Sequence, residues 1–216
     1  MNDMNDMNKT LNNYFERIYC VNLDRRPERW ESSRKQFFKH HLNVERFSAV
    51  DGKTCNPVNR LKSGEIGCLM SHLNILIDCQ KNNIENVLIT EDDVEFCDNL
   101  NELFFEYEKE LPKWDILYLG ANHALCNPYE NNPPIKITEH VYRILHAYST
   151  HAYAVNKSCY QYLIDHISQM THPLDVMYSR VQKKLNVYLF RPHLAWQSEG
   201  YSDIMETNVD YSFLKN

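Results

Sequence analysis

The feature that most narrows the fold is a repeated pairing of a short apolar run with a longer amphipathic stretch. "RIYCVNL" (17–23), "VERFSAV" (44–50), "NVLIT" (86–90) and "WDILYLG" (114–120) read as strands, rich in β-branched, aromatic and aliphatic side chains. Between them lie helical patterns. Pro27 suits the first turn of a helix running to His40, in which Trp30, Phe37 and Phe38 among charges predict a partly buried face. From Ser63, residues Ile66, Leu69, Met70, Leu73, Leu76 and Ile77 recur at helical spacing until Asn82-Asn83. A third amphipathic segment, 100–111, stops at Pro112. Strands alternating with helices predict an α/β fold, a mostly parallel central sheet flanked by helices.

Farther on, 140–155 reads as one or two strands, 157–167 as a helix, 172–185 as another helix opened near Pro173, and 187–197 as a last strand before a polar tail. Residues 121–139 are rich in Asn and Pro without a period, a loop. Residues 1–13, beginning "MNDMNDMNKT", lack apolar periodicity and read as a flexible tail, with 14–216 one domain.

The chain has 216 residues, 43% of them hydrophobic, enough for a real core. A net charge of -6 argues against a general nucleic-acid binder, whose affinity comes from clustered Lys and Arg. Seven cysteines, an odd count with none in a CxxC pair, read as reduced, buried thiols and argue against a zinc site or a secreted disulfide framework. No signal peptide and no run of ~18 apolar residues is evident, so the expectation is a cytoplasmic protein without a transmembrane segment.

The third strand ends in "TEDD", with Glu91, Asp92 and Asp93 adjacent. Neighbouring carboxylates repel, and each loses hydration where a buried strand ends. A divalent cation removes both costs, and hard carboxylate oxygens suit Mg²⁺ or Mn²⁺. Strict strand alternation places Glu91 and Asp93 on one side as the metal pair and turns Asp92 away. Ligands of an open α/β sheet collect beyond the carboxyl ends of its strands, where Asn22, Arg25, Arg26, Arg29 and Asp51 also fall. Solvated strand-end carboxylates remain the plain alternative.

In order and spacing, "VNLDRRPERW", "AVDG", "LKSGEIGCLMSHLNIL" and "VLITEDDVEF", followed by "STHAYAVNKSCYQYLI", "HPLDVMY" and "RPHLAWQ…YSDI", resemble glycosyltransferase family 25, over roughly residues 15–205. That family includes lipooligosaccharide galactosyltransferases and collagen galactosyltransferase domains. The resemblance implies a GT-A fold, a UDP-hexose donor, a divalent metal and inverting transfer. Glu91-Asp92-Asp93 then stands in for the Asp-x-Asp signature, with Glu91 and Asp93 on the ion and Asp92 on the donor side. Asp175, in "HPLDVMY", is implied as base or donor-sugar ligand, the alternative being a carboxylate favoured by a helix dipole. Ser71 and His72 are implied at the donor site. By its angle on the helix, however, a lone His72 reads as a boundary residue. Asn22 and Asp51 are candidates for the nucleoside and Arg25 for the diphosphate. For a further group on the metal side, "RPHLAWQ" offers His193 and Gln197. Gln197 fits the family block better, and His193 is the better ligand chemically.

The implied function is metal-dependent, inverting transfer of galactose or glucose from a UDP-sugar to a hydroxyl of a glycan, a lipid-linked saccharide such as lipooligosaccharide, or a collagen-like hydroxylysine. Two alternatives remain open at the sequence level: a degenerate module that binds nucleotide or glycan without turnover, and a metal-dependent phosphohydrolase or nucleotidyltransferase.

Overall fold

The structure, a computed structural model, describes residues 9–122, 132–205 and 207–210. The first half runs β1 (Arg17–Asn22), α1 (Pro27–Lys39), β2 (Glu45–Ser48), α2 (Ser63–Lys81), β3 (Asn86–Glu91), β4 (Val94–Phe96), α3 (Leu100–Glu108) and β5 (Ile116–Tyr118). The second half runs β6 (Ile135–Lys136), β7 (Val141–Arg143), β8 (Ala152–Asn156), α4 (Tyr160–Ile167), α5 (Leu174–Ser179), β9 (Val187–Phe190), β10 (Ala195–Gln197), β11 (Gly200–Ser202) and β12 (Thr207–Val209).

Among the described residues, eight strands form one sheet in the order β2-β1-β3-β8-β5-β9-β7-β6. The pairings set β1, β2, β3, β5, β6 and β9 in one direction and only β7 and β8 against it, so the mostly parallel sheet is present. Each central strand is apolar on both sides. On β1, Tyr19 and Val21 join one core cluster while Ile18 and Cys20 join the other; on β3, Val87 and Ile89 oppose Leu88 in the same way. Helices α2, α4 and α5 cover the first face, and α1 and α3 cover the second. Double-sided cover is the reason these strands lack a polar alternation.

Several expectations shift. Leu11 is fully buried in the second cluster, so packing begins ahead of residue 14, while 1–8 lie outside the described residues. About half of the expected 121–139 loop, 123–131, also lies outside them, and 135–136 form β6. The expected last strand divides into β9 and β10, and the polar tail contains the β11–β12 hairpin. On α1, Phe37 is buried but Phe38 is 84% exposed. The buried side of α2 is also rotated from the apolar stripe: it includes Ser71 and His72, while Ile77 is 43% exposed. Hydrogen bonds to those polar side chains make that orientation tolerable.

Gly52 and Gly67 are required by contact. A Cβ on Gly52 would lie 1.7 Å from the Ser63 carbonyl oxygen, and one on Gly67 would lie 2.5 Å from that of Val50. The Val50–Gly52 loop thus seats directly on the start of α2. Among the described residues, no helix is long and apolar enough to cross a membrane.

Candidate functional site

Because β2, β1 and β3 are adjacent and parallel, their carboxyl ends open on the same edge of the sheet. A cleft of about 570 Å³ lies there. Its walls come from the loop after β2, from α2, from the β3–β4 turn, from the first turn of α5 and from the end of β10. Antiparallel β8 runs next to β3, so the residues entering β8 meet the end of β3: the Glu91 N–H donates to the His151 carbonyl at 3.0 Å. The Thr150 hydroxyl donates to Glu91 Oε1 at 2.7 Å.

The three carboxylates meet in this cleft, but not as alternation predicts. The strand ends at Glu91, and Asp92 and Asp93 form the turn into β4, where the two-residue period no longer applies. Arg29 Nη2 therefore reaches both, at 2.8 Å from Asp92 Oδ1 and 3.2 Å from Asp93 Oδ2. Asp92 is not turned away. Its Oδ2 accepts from the Asn22 amide at 2.7 Å, while Asp93 Oδ2 accepts from Gln197 Nε2 at 3.4 Å. Glu91 stands apart, with Oε1 3.7 Å from His72 Nε2.

Burial and then the Asp93 charge push the Glu91 carboxyl up to about 8. Burial lifts Asp92 to about 6 against the pull of Arg29 and Asn22. Asp93 is raised by burial as well, and its Oδ1 is buried with no hydrogen-bond partner among the described residues. This donor set fits a hard divalent cation: two crowded carboxylates that resist ionising together, one of them with an oxygen that nothing satisfies.

A cluster of arginines faces the carboxylates. Arg25 Nε lies 2.9 Å from Asp51 Oδ2 and its Nη1 lies 3.0 Å from Asp203 Oδ1; Arg26 Nη1 is 2.5 Å from Asp203 Oδ2 and Arg29 Nη1 is 3.6 Å from it. Asp203, in the turn between β11 and β12, thus touches all three guanidinium groups. Its backbone also crosses Gly64 closely enough that a Cβ there would lie 2.9 Å from the Asp203 carbonyl oxygen.

The remaining expected residues divide by what holds them. Asp51 caps a short turn through the Lys53 N–H at 3.1 Å and lines the cleft, as do Ser71, His72, Asp175 and Gln197. Ser71 donates to the Gly67 carbonyl at 2.6 Å and accepts from the Val50 N–H at 2.9 Å, pinning the loop that carries Asp51. Asn22 is buried, donating to Asp92 and to the Arg26 carbonyl at 3.0 Å and accepting from Arg46 Nε at 2.8 Å. With its amide so engaged, Asn22 orients Asp92 and does not line the cleft. His72 is fully buried, not a boundary residue; its Nδ1 lies 2.8 Å from the Tyr153 hydroxyl, and burial pushes its pKa down to about 3. Asp175 accepts from the Val176 N–H at 2.8 Å, and burial raises its pKa. His193 is buried away from the cleft, so of that pair only Gln197 faces the carboxylates.

Sequence reasoning placed Arg29 at the rim without giving it a role, and did not select Thr150, Tyr153 or Asp203 for the site. Arg29 carries a visible signal, three arginines within the five residues 25–29 that follow β1. The others lie inside blocks that carry the family resemblance, but their partners are remote in sequence and nothing local assigns them a role.

A family model described as "Glycosyltransferase family 25 (LPS biosynthesis protein)" matches residues 15–178. A protein of Acanthamoeba polyphaga mimivirus named "Procollagen lysyl hydroxylase and glycosyltransferase" is 30% identical over 172 residues, covering 66% of this chain and 19% of that protein. The mouse protein "Procollagen galactosyltransferase 2" is 26% identical over 176 residues, 69% of this chain and 27% of the relative. A bovine relative, "Probable inactive glycosyltransferase 25 family member 3", is 27% identical over 165 residues, 66% of this chain and 27% of its own length. The chain thus spans about a quarter or less of the length of these relatives. With a family match that covers most of the sequence and carries the β1, β3 and α5 residues of the cleft, the chain belongs to glycosyltransferase family 25.

Proposed function

We propose that this chain is the catalytic unit of a metal-dependent, inverting glycosyltransferase of GT-A type. It moves galactose or glucose from a UDP-sugar to an acceptor hydroxyl on a glycan, a lipid-linked saccharide or a collagen-like hydroxylysine. The observation that carries this reading is the meeting of Glu91, Asp92 and Asp93 with Arg25 and Arg29 in one cleft, Arg26 joined to it through Asp203, and Asp93 Oδ1 buried without a hydrogen-bond partner among the described residues. A nucleoside diphosphate with a divalent cation offers the arginines anionic oxygens in exchange for Asp203 and brings positive charge to the carboxylates.

In this reading Glu91 and Asp93 hold Mn²⁺ or Mg²⁺, which when bound neutralises charge developing on the departing diphosphate. Arg25, Arg26 and Arg29 bind phosphate oxygens once Asp203 gives way, and Asp92 keeps Arg29 aimed. Asp51, Ser71, His72 and Gln197 shape the donor pocket. Asp175 removes the acceptor hydroxyl's proton as its oxygen attacks the anomeric carbon from the face opposite the leaving group. Its raised pKa moves its proton affinity toward working pH, as a general base requires.

A catalytically silent donor-binding unit is the second reading, favoured by the Arg29–Asp93 ion pair, which already gives Asp93 a cation of its own. A screen of UDP-hexoses with Mn²⁺, read as UDP release with and without acceptor, separates the two. Metal-dependent UDP release supports transfer chemistry, and UDP binding without turnover of any donor contradicts it.

A further inference from the structure

The α2 wall of the cleft holds a set of donors unlike the hard pair at Glu91 and Asp93. We infer that Cys68, His72 and Glu91 form a binding site for a soft or borderline divalent cation, with Zn²⁺ its best-suited occupant. Cys68 and His72 are four apart on α2 and so share one face of the helix. One donor atom from each of the three residues lies within 4.8 Å of the others, and His72 Nε2 to Glu91 Oε1 is 3.7 Å. A tetrahedral ion with bonds of about 2.0–2.3 Å holds its ligand atoms about 3.3–3.6 Å apart. The nitrogen and oxygen need almost no movement, and a small turn of the Cys68 side chain completes the set.

The second observation is the state of His72. Its ring is fully buried, and Nε2 has no hydrogen-bond partner among the described residues. The opposite nitrogen is held: Nδ1 lies 2.8 Å from the Tyr153 hydroxyl, which in turn lies 3.2 Å from the Tyr178 hydroxyl. When Nδ1–H donates to Tyr153 and Tyr153 donates to Tyr178, Nε2 presents its lone pair toward Glu91. Fixing the ring of a ligating histidine through its other nitrogen is the usual second layer of a metal site, and ligating carboxylates are likewise hydrogen-bonded: Thr150 donates to Glu91 Oε1, the same oxygen that faces His72 Nε2. Cys68 and Glu91 line the cleft, so an ion has a path in and the fourth position opens toward the cavity. Thiolate and imidazole select Zn²⁺ or Co²⁺ over Mg²⁺ or Mn²⁺. Binding displaces the Cys68 thiol proton and any proton on Glu91 to solvent. Since Glu91 also belongs to the proposed hard-ion pair, a zinc ion here draws that carboxylate away from it, so Zn²⁺ inhibits Mn²⁺-supported turnover.

The test is titration of the metal-stripped protein with Co²⁺, followed by absorption. The expected result is an intense thiolate-to-cobalt charge-transfer band with tetrahedral d–d bands, abolished by Zn²⁺. Cys68→Ser loses the charge-transfer band, unfolds at the same temperature as the parent without metal, and keeps Mn²⁺-supported UDP release. Tyr153→Phe, which frees His72 Nδ1, weakens Zn²⁺ binding by about 10–100-fold. A weak octahedral cobalt spectrum, identical in the parent and Cys68→Ser, overturns the inference. The readout needs no donor and no turnover. A tetrahedral thiolate spectrum in an inactive protein supports the site while counting against the proposed reaction, and turnover without the spectrum does the reverse.

Discussion

Glu91→Gln tests whether the carboxylate cluster is strained when no cation is bound. The Glu91 carboxyl is lifted from an ordinary 4.5 to about 8, first by burial and then by Asp93. A carboxyl group that holds its proton more tightly in the folded chain contributes stability that is complete below about pH 4.5. That stability drains away as pH rises, and is lost once pH passes about 8. At about 1.4 kcal/mol per unit the full swing is ~5 kcal/mol, of which about 2.7 kcal/mol falls between about pH 6 and pH 9. The Glu91 side chain is 19% exposed, so water softens the penalty; halving it leaves about 1.4 kcal/mol, or about 3–6 °C in Tm for a chain this size. Glutamine keeps the oxygen that accepts from Thr150 and removes the titration. Thermal melts of metal-stripped parent and Glu91→Gln across that pH interval should therefore show the parent losing about 3–6 °C more than the variant. Equal losses in the two proteins refute the claim that Glu91 ionises against burial and a like charge.

Asp203→Asn removes the charge that occupies Arg25, Arg26 and Arg29, so UDP should bind several-fold more tightly, by calorimetry; weaker binding would mean that Asp203 positions the arginines and does not compete with phosphate. Gly67→Ala forces a methyl group against the Val50 carbonyl, and denaturant melts should show a loss of about 1–3 kcal/mol. Asp175→Asn should lower kcat by about 10²–10⁴-fold with KM for the donor little changed, as expected for a base acting on the acceptor; a KM effect alone would make Asp175 a donor ligand.

What the sequence disclosed depended on the range of the interaction. The apolar runs that became β1 and β3 were legible because a strand covered on both faces needs apolar side chains at every position, and Pro27 marked the start of α1. The antiparallel insertion of β8 beside β3 was not legible, since pairing direction is set by partners about 65 residues apart. The same holds inside the cleft. The acidic triplet announced itself by local charge, but the side each carboxylate faces depended on where β3 ended, and extending the strand period past Glu91 misplaced Asp92. His72 was misread because helix angle alone cannot foresee Tyr153, 81 residues away, whose hydroxyl makes a buried ring tolerable. Asp203 was invisible as a site residue for the same reason: its three arginines lie at the opposite end of the chain.

The most direct test of the central claim, that Glu91 and Asp93 hold a cation that also meets the donor diphosphate, is Mn²⁺ affinity measured by electron paramagnetic resonance with and without UDP. The account predicts that UDP tightens Mn²⁺ binding at least about tenfold, a coupling of about 1.4 kcal/mol, and that Asp93→Asn abolishes this coupling while the protein stays folded. Mn²⁺ binding indifferent to UDP, or unchanged in Asp93→Asn, would contradict it.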